Sequence, residues 1–86
     1  MEDYLFKLFV IENSPECAHA IKNINLILEK YLKDKSKLEI IDISKQSNIA
    51  KEENIFMVPL LIKKFPLPEE RFIGDLSDSK KILAIL

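Results

Sequence analysis

Runs and alternations of apolar residues divide the chain into elements. Tyr4 to Ile11, YLFKLFVI, is aromatic and β-branched with Lys7 as its only charge, the pattern of a central strand covered on both faces. Asn13-Ser14-Pro15-Glu16 follows. Ser14 can cap a helix through its hydroxyl, Pro15 at the first helical position gives up no needed donor, and Glu16 complements the positive helix end. Beyond it Cys17, Ile21, Ile24, Leu28 and Leu32, joined by Ala20, Ile27 and Tyr31, recur at helical period over about four turns. This predicts a helix face packed on a sheet.

Lys33 to Lys37 reads as a solvated loop and Leu38 to Ile43, LEIIDI, as a second strand. A helix between two strands makes them parallel neighbours in a right-handed βαβ unit. KQSNIAKEENI, after Ser44, predicts a short helix with Ile49, Ala50 and Ile55 inward. Val58 to Phe65 is a third strand, with Pro59 at its start because proline cannot donate to a ladder. After PLPEE, Arg71 to Gly74 returns antiparallel, and Ser77 or Asp78 caps a last helix built on Ile82, Leu83 and Leu86. The predicted order is β-α-β-α-β-β-α, without an internal repeat.

Composition narrows the function classes. The 86 residues make one small domain, which buries about 60 to 65 % of its unfolded surface. Nearly half the residues are apolar and glycine occurs once, which excludes disorder and low complexity. Thirteen Lys or Arg against fourteen Asp or Glu give a net charge of -1, without the one-sided basicity that nucleic-acid binding needs. Arg71 is the one arginine, hence the one candidate for bidentate carboxylate recognition. A single cysteine rules out an internal disulfide and a multi-cysteine zinc site, and fits a reducing, cytoplasmic setting. The N-terminal stretch MEDYLFKLFVIENS lacks a basic targeting region, and no run approaches the ~20 apolar residues of a membrane span.

The element order, with a helix N-terminus after the first strand and a proline opening the third, is thioredoxin-like. KLFVIENSP (Lys7 to Pro15), IIDISKQSNIAKEENI (Ile40 to Ile55), VPLL (Val58 to Leu61) and FIGDLSD (Phe72 to Asp78) carry a closer resemblance. In register without gaps they resemble the KaiB family of circadian clock proteins. That resemblance implies a non-enzymatic protein, without cofactor or metal, which binds a KaiC-like RecA-fold ATPase and helps to time its phosphorylation cycle. It also implies self-association as a dimer or tetramer, through a tetrameric ground-state fold with its own C-terminal topology beside a monomeric thioredoxin-like state. Similar domains open a clock-output histidine kinase, so a stand-alone sensor domain is an alternative.

The resemblance implies a partner surface at the start of the first helix and the second strand edge, with His19, Lys22, Lys37, Glu39, Asn54 and Arg71 as candidate contacts. Structural roles fall to Ser14, Pro15, Pro59, Gly74 and Asp75, and thioredoxin-like proteins hold the proline corresponding to Pro59 in the cis form. Clock members usually have small or basic residues where this chain has Lys37, Glu39 and Asn54. Many continue with an acidic tail about where it ends at Leu86, and often have glycine where it has Ile85. The glycine-free segment Lys80 to Leu86 favours the last helix of the thioredoxin-like state, since an interior glycine costs about 1 kcal/mol.

With Pro15 placed on the proline of a thioredoxin C-G-P-C turn, Asn13 and Glu16 replace the two cysteines, and disulfide exchange loses its thiols. Cys17 reads as a buried core thiol by its spacing, or as the reactive group of a one-cysteine reductase or peroxide sensor. His19 is a surface residue or a partner contact. Glu52-Glu53 and Glu69-Glu70 read as solvated charge, because sequence neighbours diverge on a helix or strand. Arg71, flanked by acids, makes a local ion pair or reaches a partner carboxylate.

Overall fold

A computed structural model describes residues 3–86. Met1 and Glu2, the start of the stretch read for a targeting signal, lie outside the described residues. The elements are β1 (Tyr4–Val10), α1 (Pro15–Tyr31), β2 (Ser36–Asp42), α2 (Ser47–Glu52), β3 (Leu60–Phe65), β4 (Glu70–Ile73) and α3 (Ser79–Leu83). This is the predicted order. The sheet runs β2-β1-β3-β4, with β1 parallel to β2 and antiparallel to β3, and β3 antiparallel to β4.

Alternation along β1 sends side chains to two separate cores. Phe6, Leu8 and Val10 meet Leu61 of β3, Ala20, Ile24, Ile27 and Leu28 of α1, and Ile82 of α3. Phe9, on the other face, joins Ile41, Leu60 and Ile62 under Ile49 and Ile55. Three layers result, α1 and α3 on one side of the sheet and α2 on the other.

Local chemistry explains the joints. The Cys17 N–H donates to Ser14 Oγ at 3.2 Å and Pro15 opens α1, as the sequence predicts. The Val58–Pro59 bond is cis as expected, and so are Phe65–Pro66 and Leu67–Pro68. Asp78 caps α3 through its carboxylate and the Lys80 N–H. At Gly74 φ is +107° and an added Cβ would meet nothing within 4 Å, so backbone conformation, not space, calls for glycine there. Leu76 is also left-handed, with φ 65°.

Three expectations change. Tyr31 faces solvent, with the Lys30 ammonium 5.2 Å from its ring centroid; the helix ends at this residue and the apolar stripe passes to Leu32. β2 begins at Ser36, so Lys37 belongs to the strand, opposite Leu5, and Ile43 lies beyond the strand's end. The third strand begins at Leu60 rather than Val58, with Pro59 just before it, and the fourth spans Glu70–Ile73 rather than Arg71 to Gly74. The short second helix forms as expected, with Ile49 and Ile55 packed against the core although Gln46 offers no side-chain cap.

Candidate functional site

The first site to consider is the turn before α1, where this architecture can carry thiols. Asn13 sits there in the left-handed region (φ 64°) and Glu16 lies in the first helical turn; neither side chain can form a disulfide. Cys17 is 2 % exposed and packs in the core formed by β1 and α1. A cavity of about 290 Å³ beside it is lined by Ile11, Ile21, Ile40 and Asp42 among others. Among the described residues no group of three or more His, Cys, Asp or Glu could hold a metal ion.

The candidate contact residues fall into separate groups. His19 and Lys22 are exposed on α1. His19 adds a small electrostatic effect at Asp75, whose carboxyl is held below its usual range mainly by hydrogen bonds from the Ser77 hydroxyl and N–H. Lys37 and Glu39 stand two residues apart on β2, 3.8 Å from ammonium to carboxylate, on the face shared with Ile41 and turned away from α1. Asn54 and Arg71 meet at the far edge of the sheet. β2 and β4 are its outer strands, so three strand spacings, about 14 Å, separate these pairs. The structure therefore joins Lys37 to Glu39 and Asn54 to Arg71, and leaves His19 and Lys22 across the sheet.

Arg71 is locally engaged. Its Nη2 donates to the Glu53 carbonyl oxygen at 2.6 Å and its Nη1 to that of Asn54 at 3.5 Å. Its guanidinium also lies 3.8 Å from the Glu53 carboxylate and 3.7 Å from that of Glu69. Lys64 Nζ donates to those same carboxylates at 2.9 Å each. These bonds, the one to Glu53 foremost, raise the Lys64 ammonium above its ordinary value. The hydrogen bond from Lys64 in turn lowers the Glu69 carboxyl.

Sequence reasoning missed the apolar part of this corner. Phe56 is 89 % exposed, Met57 61 % and Ile73 64 %. With Leu60, Asn54 and Arg71 they line a shallow cavity of about 290 Å³. The signal was the run Ile55-Phe56-Met57-Val58 between a polar helix and the third strand, which fits neither periodicity. No helix among the described residues is long and apolar enough to cross a membrane.

Known proteins agree with this architecture. The N-terminal domain of Synechococcus elongatus SasA superposes with a TM-score of 0.79 at 17 % identity, over 99 % of this chain and 81 % of that one. Mitochondrial thioredoxin 3 of Saccharomyces cerevisiae gives 0.79 at 17 %, over 100 % and 81 %. The fold is thus thioredoxin-like. At the sequence level, the circadian clock oscillator protein KaiB of Thermosynechococcus vestitus is 42 % identical over 80 residues, 93 % of this chain and 74 % of the relative. Its namesake in Synechococcus elongatus is 41 % identical over 93 % and 78 %. The KaiB domain profile matches residues 7–86, and with identity at this level across nearly its whole length the chain belongs to the KaiB family.

Proposed function

We propose that this protein is a non-enzymatic clock component that binds a KaiC-like RecA-fold ATPase and modulates its phosphorylation and ATPase cycle, in circadian or stress timing. The observation that carries the reading is the 41–42 % identity to clock oscillator KaiB proteins over 93 % of the chain. The lost chemistry of the α1 turn supports it: Asn13 and Glu16 stand where a redox protein needs thiols, and Cys17 is buried. What the fold retains is surface. Phe56, Met57 and Ile73 form an exposed apolar corner, the kind of feature that marks protein–protein contact. We assign His19, Lys22, Lys37, Glu39, Asn54 and Arg71 to the partner-facing residues, acting in the cytoplasm. The likeness to the SasA domain, at 17 % identity, supports the fold and not a separate sensor role.

Co-elution with the KaiC-like ATPase of the same genome tests the reading. Glu39→Lys and Phe56→Asp are expected to weaken the complex more than Lys81→Glu. Equal loss in all variants, or no complex with the unaltered chain, counts against it.

A further inference from the structure

Arg71 lies on an edge strand, yet its guanidinium turns back onto the chain's own backbone. The carbonyls it reaches belong to Glu53 and Asn54, the first two residues past the end of α2. Around it the charges close a ring: Lys64 to Glu53, Glu53 to Arg71, Arg71 to Glu69, and Glu69 back to Lys64. Cations and carboxylates alternate, and the Lys64 and Glu53 side chains are about a fifth exposed, at 19 % and 20 %. A network of this kind holds its members where an isolated surface pair would not.

The ring ties together three places, the exit of α2, the end of β3 and the edge strand β4. Immediately after the exit come Asn54, left-handed at φ 56°, and then Phe56 and Met57. We propose that the ring is a clasp and Arg71 its positioning residue: by fixing the α2 exit against β4 it sets where Phe56 and Met57 stand beside Ile73. The inference goes beyond the proposed function, because the clasp operates in the isolated chain whether or not an ATPase binds.

Limited proteolysis reads it directly. Chymotrypsin cleaves after exposed aromatic residues but needs a locally opened backbone, so the Phe56–Met57 bond reports release of the connector. Cleavage after Phe9, fully buried in β1, reports opening of the whole domain. Arg71→Ala is expected to raise cleavage at Phe56 relative to Phe9 by about tenfold, the effect of losing one charge-assisted hydrogen bond on a local opening equilibrium. Arg71→Lys keeps the charge but not the fork that spans two carbonyls, and should resemble Arg71→Ala. Glu69→Gln, which leaves β4 and the connector unaltered, should give a smaller rise in the same ratio. Because the ratio is taken against Phe9, a destabilised variant remains informative. An unchanged ratio in Arg71→Ala, or a rise at Phe56 matched by an equal rise at Phe9, overturns the clasp.

Discussion

Asn23, midway along α1, donates from Nδ2 to the Asp75 carbonyl oxygen at 2.8 Å, across 52 residues of sequence. One side chain thereby ties the turn after β4 to the main helix. Asn23→Ala removes the donor and leaves a part-buried carbonyl without it, at a cost of about 1 kcal/mol. Thermal melting should show a fall of roughly 4–8 °C. An unchanged midpoint would mean that water replaces the amide without loss.

The helix cap should show a similar effect at the other end of the unit. Ser14→Ala deletes the acceptor for the Cys17 N–H and should cost about 1 kcal/mol in denaturant unfolding, whereas Ser14→Asp should restore most of it. Equal stability of the unaltered chain and Ser14→Ala would deny the cap an energetic role.

Cys17 gives a separate expectation. At 2 % exposure its thiol should react with a maleimide far more slowly in the native protein than in denaturant, and Cys17→Ala should leave insulin-disulfide reduction at background. Rapid native labelling with thiol-dependent turnover would favour the redox alternative.

Acid should weaken the fold through identifiable carboxylates. The Asp42 carboxyl is lowered from its ordinary 3.8 by the Ser44 hydroxyl, at 2.6 Å, and the Ser44 N–H, at 2.9 Å. A depressed folded-state value means that stabilisation is present above the unfolded value and lost as pH falls through the folded one. The melting difference between the unaltered chain and Asp42→Asn should therefore be largest at neutral pH and vanish in strong acid. Lys64 has the opposite sign: raised from 10.5, its contribution is present at neutral pH and lost only at strongly alkaline pH.

Backbone chemical shifts address the C-terminal topology that the family resemblance leaves open. Helical values over Ser79–Leu83 are expected, matching α3. Strand-like values there, together with a tetramer by light scattering, would identify the alternative fold as the dominant state.

Much of this architecture was legible in the chain because its longest elements carry unambiguous patterns. β1 is nearly uniformly apolar, and α1 repeats its buried positions from Cys17 to Leu32 behind a Ser-Pro start. β2 was harder: as an edge strand it leaves Lys37 in solvent, so its first residues look like loop until Tyr4 and Leu5 are seen to pair with Ser36 and Lys37. The charged ring was legible only at Arg71, whose flanking acids pointed to a local ion pair, whereas Glu53 and Glu69 read as solvated charge. Glu53, Lys64, Glu69 and Arg71 have no common spacing, and only the hairpin β3–β4 folded beneath the exit of α2 brings them within reach. Phe56 was visible as an apolar residue without a period, but its exposure depends on where α2 stops.

Leu76 carries a consequence for how the C-terminal part holds together. A branched L-residue in the left-handed region costs roughly 1–2 kcal/mol, and here φ is 65° while the side chain is only 7 % exposed. Burying a leucine side chain returns about 1.5–3 kcal/mol, so the core, not local preference, keeps the turn in this shape. No residue satisfies both demands: glycine relaxes the backbone and empties the core, and asparagine suits the backbone but buries an amide. Because Leu76 packs in one core with Ile82, loosening α3 weakens what holds the turn in its left-handed shape.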